Sequence, residues 1–203
     1  MATQSSMHFY LNWAKERIDE MDAMLASLEA NAGQFQADSR VKANEFIADL
    51  HERRDEFEES CKKQADAGEA AWLHAKNQME DTWNGFEAEF KKYVETFGKQ
   101  IKQQQSTFEG VAAAQQKAWR DAAEKIHSAA AGLTADRRSD LDAALTRMKA
   151  DASRVEANLQ KLRSAGDESW SALGSALAES RQAFDRANQA AWEAFKRAAT
   201  PGA

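Results

Sequence analysis

Apolar residues recur along this chain in alternating steps of four and seven residues. One series takes every eleventh position and is almost entirely apolar: Trp13, Met24, Phe35, Phe46, Phe57, Gly68, Met79, Phe90 and Ile101. A second series follows four residues behind: Leu28, Leu50, Cys61, Trp72, Trp83 and Val94. Eleven residues over three turns is about 3.67 residues per turn, close to an undistorted α-helix. The pattern predicts an all-α protein of very long amphipathic helices with an 11-residue repeat.

One phrase of the sequence occurs twice. Residues 66–79 read DAGEAAWLHAKNQM, and residues 164–177, which lie 98 positions later, read SAGDESWSALGSAL. The same offset aligns other residues without gaps: Phe86 with Phe184, Glu95 with Glu193, and Phe97 with Phe195. A constant offset indicates a tandem duplication. We therefore divide the chain into a first repeat, residues 6–103, and a second repeat, residues 104–201.

Each copy of the phrase has a glycine four residues before a tryptophan. Gly68 precedes Trp72, and Gly166 precedes Trp170. A glycine inside a helix costs roughly 1 kcal/mol relative to alanine, so its presence needs a reason. We interpret both glycines as packing notches that let a neighbouring backbone or ring come close, beside a Trp that packs as a knob.

Three segments decide how the helices connect. Residues 31–39 and 130–139 have weak helical composition, and Thr134 or Asp136 is able to cap a new helix. Because the 11-residue phase runs through the first of these segments, a continuous helix is an equal alternative. Residues 98–110, rich in Gln and bounded by two glycines, are the predicted junction between the repeats.

Two architectures fit this pattern, an antiparallel coiled-coil hairpin and an elongated helical bundle. A helix as long as a repeat cannot bury its apolar stripe alone. In the hairpin, the aromatic stretch 83–101 packs against the second repeat around Trp119 and Ile126. Charge favours pairing of the halves, since residues 1–100 carry 12 basic and 20 acidic side chains, net −8, and residues 101–203 carry net +2.

Composition narrows the class of protein. The chain has one proline, and 30% of its residues are charged, which is typical of long helices. A net charge of −6 with scattered basic pairs argues against a nucleic-acid partner. A single cysteine excludes an internal disulfide. We expect no signal peptide and no transmembrane segment, and therefore a cytoplasmic location.

The segment 162–195, LRSAGDESWSALGSALAESRQAFDRANQAAWEAF, resembles the C-terminal signature of a bacterial family of small coiled-coil stress-response proteins first named in cyanobacteria. The residues that match the family pattern are Leu162, Ala165, Gly166, Asp167, Trp170, Leu177, Phe184, Trp192 and Phe195. Residues 67–97 match a second time, so the chain resembles a doubled member. The resemblance implies helices and an association with stress, and it brings no reaction, cofactor or catalytic residue.

The sequence offers little chemistry. Glu124 and His127 have the Glu-x-x-His spacing of di-iron helical bundles, but no second such pair exists to complete a metal site. No phosphate loop or nucleophile motif is present. We therefore expect no enzyme activity, no cofactor and no metal. Cys61 lies in phase with the apolar stripe, so we interpret it as a small buried hydrophobe.

Three functions remain from different classes. The first is a non-enzymatic elongated scaffold or protective protein that associates with itself or with another helical protein. The second is a coat protein for lipid or storage-polymer surfaces, because the 11-residue period also resembles apolipoproteins and phasins, and lysines flank the aromatic stretch. The third, kept for completeness, is a helical-bundle metal or redox protein. The candidate packing or partner surface comprises Gly68, Trp72, Trp83, Phe86, Phe90, Tyr93, Phe97, Gly166, Trp170, Phe184, Trp192 and Phe195.

Overall fold

The computed structural model describes residues 2–67, 69–97, 101–131, 133–165 and 170–199. Within these ranges the chain forms α-helices and no strand, so the all-α prediction is confirmed. The helices are α1 Ala2–Ala32, α2 Ala37–Ala67, α3 Glu69–Phe97, α4 Ile101–Ala130, α5 Ala135–Ala165 and α6 Trp170–Ala199. Gly68 and Gly166 lie outside the described residues, so the proposed packing notches remain predictions.

The very long helices expected from the 11-residue pattern are interrupted. The longest described helices have 31 residues, a length of about 46 Å. After α1 the chain turns at residues 33–36, where the backbone amide of Phe35 donates to the carbonyl of Ala32 (3.2 Å) and that of Arg40 donates to Gln36 (2.8 Å). This turn resolves the alternatives for residues 31–39 in favour of a break.

A second break separates α4, which ends at Ala130, from α5, which begins at Ala135. The backbone amide of Leu133 donates to the carbonyl of Ala130 (3.0 Å), and Thr134 stands directly before α5, with its carbonyl accepting from the amide of Arg138 (3.0 Å). The Arg138 side chain reaches back to the carbonyl of Ala131 (3.2 Å) and that of Leu133 (3.1 Å). The Arg138 guanidinium thus satisfies two backbone carbonyls that follow the end of α4.

Helix α1 is the hub of the fold. It runs antiparallel to α4, because Ser27 faces Thr107 (Oγ to Oγ1, 2.5 Å) whereas Glu20 faces Gln115 (Oε1 to Nε2, 3.0 Å). It also packs against α2, α3 and α6. The hairpin α2–α3 closes a first three-helix unit, α1–α3, and α5 and α6 pack on α4 as a second unit, α4–α6.

The predicted hairpin contact is wrong for the described residues. Helix α3 packs along α2 and α1, so its aromatic side chains do not face Trp119 and Ile126. Trp83 belongs to a cluster centred on the first unit, and Trp119 and Ile126 belong to a cluster within the second unit. The reason is that the chain breaks after α1 and again after α4, so each repeat folds back on itself before the two repeats meet. Residues 101–110, part of the predicted junction, are the first ten residues of α4.

Helix boundaries repeat with the same offset as the sequence. Helices α1 and α4 end at Ala32 and Ala130, and α2 and α5 begin at Ala37 and Ala135. The two units therefore have the same plan of helices, and pairs of residues 98 positions apart provide matched positions for comparison. We use these equivalent positions below.

Candidate functional site

The aromatic residues that the sequence singled out lie inside the bundle. Trp72, Phe86 and Phe184 are almost completely buried. The buried members of the predicted surface are Trp72, Trp83, Phe86, Phe90, Tyr93, Phe184, Trp192 and Phe195, and Phe97 is partly buried. Trp170 begins α6, and its side chain lies outside the described part of the structure. The described residues of this set, without Trp170, form core packing between helices and present no continuous aromatic face to solvent.

A group of charged side chains lies where the two units meet. Helix α1 contributes Glu16, Arg17 and Glu20, which are no more than 5% exposed, and α6 contributes Arg181 and Asp185. We call these five residues, together with Glu87 and Gln115, the inter-unit junction. Charged groups this deeply buried are stable only when they are paired and hydrogen-bonded.

Arg181 connects three helices. Its Nη2 donates to Glu20 Oε2 of α1 (2.6 Å) and its Nη1 donates to Glu87 Oε1 of α3 (2.9 Å). The guanidinium carbon also lies 4.5 Å from the centroid of the Trp83 ring, a cation–π geometry. Gln115 of α4 donates to the same Glu20 (3.0 Å) and to the backbone carbonyl of Leu177 (3.0 Å). One guanidinium and one carboxylate thus tie the two units together.

Arg17 makes a second connection of the same kind. Its Nη2 donates to Asp185 Oδ2 of α6 (2.7 Å), and its Nη1 donates to Glu16 on the same helix. The guanidinium lies against the rings of Trp13 (5.3 Å) and Trp83 (5.4 Å). Trp83, a residue that the sequence predicted for a packing surface, therefore lies beside two arginines from different units.

Glu16 and Glu20 are one helical turn apart and titrate in opposite directions. Burial, and then the neighbouring Glu20 charge, raise the pKa of Glu16 well above its ordinary value. Burial alone would also raise the pKa of Glu20, but the Arg181 guanidinium overcomes it and lowers that pKa. The negative charge of Glu20 thus opposes ionisation of Glu16, whereas the charge of Arg181 favours ionisation of Glu20. At a pH between these two pKa values, the carboxyl pair holds one proton, on Glu16, and one negative charge, on Glu20.

The sequence places charged residues at helix positions that the apolar pattern assigns to the core, and these residues could have indicated the junction. Arg17 stands four residues after Trp13, at a position where the second apolar series would place a hydrophobe. Glu20 stands four residues before Met24, on the same helix face. Charged residues at core positions of one helix require partners from other helices. Their identity, Arg181 and Asp185, could not be read from the sequence because it depends on the packing of α6 against α1.

The remaining candidates for chemistry do not come together. Among the described residues, no group of three His, Cys, Asp or Glu side chains is placed to hold a metal ion. Glu124 and His127 lie on α4 beside a groove, at the surface. Burial raises the pKa of Cys61 to about 12, and its Sγ contacts Met79 Sδ at 3.8 Å. A thiol with that pKa is a poor nucleophile at neutral pH.

An open groove runs between α4 and α5. It has a volume of about 570 Å³, and its floor is apolar: Trp119, Ala123, Met148, Ala152 and Val155. Charged residues of both signs stand along its sides, among them Arg120, Glu124, Lys149 and Glu156. We call it the α4–α5 groove.

The equivalent position in the first unit is closed. Where the groove has Ala123, Ala152 and Val155, the first unit has Leu25, Arg54 and Phe57. Arg54 crosses from α2 to α1, where its Nε donates to Asp22 Oδ1 (2.7 Å). Three small side chains in place of three large ones therefore open the α4–α5 groove.

Comparison with known proteins gives this site no precedent. No family model, no curated protein and no solved structure matches the chain. None of the helices in the described ranges combines the length and apolar character that crossing a bilayer requires.

Proposed function

We propose that this protein is a non-enzymatic helical scaffold that binds a helix of another protein molecule in the α4–α5 groove. The observation that carries the proposal is the distribution of apolar side chains. Among the described residues Val41 is the one large hydrophobic side chain that is mostly exposed, at 58%, whereas the α4–α5 groove has a continuous apolar floor. A groove between two helices with an apolar floor and charged sides suits an amphipathic helix. The association with stress enters this proposal from the family resemblance alone.

The first partner to test is a second copy of the chain. Residues 1–100 carry net −8 and residues 101–203 carry net +2, so the first half of one molecule attracts the second half of another. Such a contact joins two different surfaces, so it adds molecules head to tail.

The test uses a variant that closes the groove as the first unit closes its own. Ala152→Arg combined with Arg120→Asp recreates the Asp22–Arg54 pair at equivalent positions. Sedimentation velocity over a range of concentrations should show self-association of the wild type and a monomer for the closed variant. Ala113→Arg, an exposed position on α4, is the matched control and should associate like the wild type. Equal association of all three proteins would contradict the proposal, as would a wild type that stays monomeric.

The coat-protein alternative requires the bundle to open, because its aromatic side chains are buried. A cross-link between α1 and α4 prevents this opening. Ser27 and Thr107, whose oxygens are 2.5 Å apart, can be replaced by cysteines in a Cys61→Ser background. We expect the oxidised and reduced proteins to have the same high helicity, and neither to adsorb to anionic vesicles. Adsorption by the reduced protein that the disulfide abolishes would favour the coat and contradict the scaffold.

A further inference from the structure

A second groove runs along the surface of the first unit, between α2 and α3. It has a volume of about 580 Å³, and five carboxylates line it against two cations, so its lining carries net −3. The carboxylates are Glu45, Asp49, Glu52, Glu56 and Glu89. We call it the α2–α3 groove. A lining with this charge complements a positively charged surface.

Four of these carboxylates belong to α2 and are available to a partner. Glu45, Asp49, Glu52 and Glu56 are exposed, and none of them forms an ion pair with another described residue. They follow one another at intervals of four, three and four residues, so they lie along one side of the helix. We call these four residues the α2 stripe. Like charges one helical turn apart destabilise a helix, so cations from another surface would stabilise this stripe.

The equivalent side of the second unit has the opposite charge. Asp49 is equivalent to Arg147, and Glu56 is equivalent to Arg154. Both arginines are exposed. The two carboxylates and the two guanidiniums are each separated by seven residues, which is two helical turns or about 10 Å. The arginines of one copy therefore match the spacing of the carboxylates of another.

The exposed side of α5 has the same sign of charge over a longer stretch. Residues 147–161 carry four cations and two carboxylates, net +2, whereas the equivalent residues 49–63 carry net −2. Lys149 and Lys161, the other two cations of α5 in this stretch, are also exposed. Two copies of α2 thus repel each other, and α2 of one copy attracts α5 of another.

We infer that α5 of one copy lies in the α2–α3 groove of a second copy, with Arg147 and Arg154 against the α2 stripe. This inference rests on the self-association proposed for the α4–α5 groove, and it names the surface that the second copy contributes. Helix α5 is one wall of the α4–α5 groove, so seating α5 between α2 and α3 of a second copy brings one of those two helices alongside the α4–α5 groove. Each copy has one surface of each kind, so molecules add head to tail.

Charge reversal tests this contact, because a second reversal compensates for the first. The first variant, Asp49→Arg combined with Glu56→Arg, reverses the α2 stripe. The second variant, Arg147→Glu combined with Arg154→Glu, reverses α5. Each variant alone places like charges together, so its self-association, measured by sedimentation velocity, should weaken at least about tenfold. An equimolar mixture restores opposite charges at each contact and should associate within about threefold of the wild type.

Two further measurements support the comparison. All four positions are exposed, so circular dichroism should show wild-type helicity for both variants. Without any variant, raising the salt concentration from about 0.05 M to about 0.5 M should weaken association of the wild type about fivefold, because exposed charges are screened.

Three results would overturn the inference. The first is wild-type association of both charge-reversed variants, the second is a mixture that associates no better than either variant alone, and the third is association that salt does not weaken. The closed variant, Ala152→Arg with Arg120→Asp, then separates the two proposals, since its loss of association would leave the α4–α5 groove as a binding site. A wild type that stays monomeric would overturn both proposals.

Discussion

The two three-helix units share their plan and differ in what fills them. The cluster centred on the first unit is rich in large rings: Trp13, Phe57, Trp72, Trp83, Phe86, Phe90 and Tyr93. The cluster of the second unit has fewer rings and many alanines: Ala118, Ala122, Ala130, Ala187, Ala191 and Ala194. Small side chains let helices approach closely, but they bury less apolar area per residue. The two units therefore share one fold, but the first has a densely packed core and the second has a less dense core with an open groove.

The difference suggests a division of labour between the units. The first unit extends its cluster onto the second through Phe108, Val111 and Leu177, whereas among the described residues the second unit's cluster receives only Tyr10 from the first. We expect the first unit to supply most of the stability of the bundle. In the second unit, the smaller side chains leave room for the α4–α5 groove within the same plan of helices.

The largest effect should come from the matched pair Phe86 and Phe184. Both side chains are at most 1% exposed. Phe86→Ala should lower the free energy of unfolding by about 3–5 kcal/mol, because the dense core cannot collapse around the void. Phe184→Ala should cost less, since Phe184 packs on Trp119 (5.3 Å), which borders the groove and can move. Urea denaturation followed by circular dichroism measures both, and an equal or larger cost for Phe184→Ala would contradict the comparison.

The next effect concerns the charges between the units. Glu20→Gln leaves the guanidinium of Arg181, 6% exposed, with only the partly exposed Glu87 as an ionic partner. We expect the free energy of unfolding at pH 7 to fall by about 3 kcal/mol, because an uncompensated buried charge remains. In the double variant, the losses of unfolding free energy caused by Phe184→Ala and by Glu20→Gln should be close to additive if the junction and the core of the second unit do not interact. Glu52→Gln changes an exposed carboxylate and serves as the comparison. If Glu20→Gln lowers the free energy of unfolding no more than Glu52→Gln does, water reaches the junction.

Glu16→Gln should act in the opposite direction. The raised pKa of Glu16 means that the native state holds a proton that the unfolded state releases above the ordinary value of 4.5. Stability from this group is therefore fully present below pH 4.5 and falls as the pH rises toward the folded pKa. A glutamine stays neutral at every pH, so Glu16→Gln should stabilise the protein at pH 8 by on the order of 1 kcal/mol and have no such effect at pH 4.

Glu20 provides the control for the pH experiment. Its pKa is lowered, so its contribution is present above the ordinary value of 4.5 and is lost as the pH falls through the folded pKa. Between pH 3 and pH 8, we compare the free energy of unfolding of each variant with that of the wild type. The difference should therefore grow toward high pH for Glu16→Gln and shrink toward low pH for Glu20→Gln. Parallel pH profiles for the two variants would contradict the assignment of the proton to Glu16.

A smaller effect on stability tests how the first unit closes the position that is equivalent to the α4–α5 groove. Arg54→Ala removes the side chain that joins α2 to Asp22 of α1 (2.7 Å) and pairs with Glu58 on α2 itself (2.5 Å). It gives the first unit the residue that the second unit has at Ala152. We expect a loss of about 1 kcal/mol, because the arginine is partly exposed and its ion pairs are screened. The loss should shrink as salt is added. A salt-independent loss of several kcal/mol would show that Arg54 acts mainly through packing.

The sequence predicted the composition of the core better than its topology. Met24, Leu50, Phe57, Met79, Trp83 and Phe90, all taken from the periodic series, are buried, because periodicity reports directly which helix face avoids water. The turn at 33–36 was not decided by the pattern, since Phe35 keeps the phase and still packs on Phe97 (5.5 Å). An uninterrupted 11-residue structural repeat thus stays unconfirmed. The junction and the groove depend on which helices meet, which local periodicity does not encode.

The smallest effect compares two glycines inside helices, one in each unit, at positions that are not equivalent. Gly174 lies within α6, and a Cβ built there meets no atom within 4 Å. Gly174→Ala should therefore raise the free energy of unfolding by about 0.5–1 kcal/mol, through helix propensity alone. Gly85 lies within α3, where a Cβ would stand 3.4 Å from Arg53 Nη1. Because that guanidinium has to shift slightly, Gly85→Ala should gain less than Gly174→Ala. The melting temperatures of the two variants test this prediction. We expect the larger increase for Gly174→Ala. A larger increase for Gly85→Ala would mean that the first unit is the more loosely packed of the two.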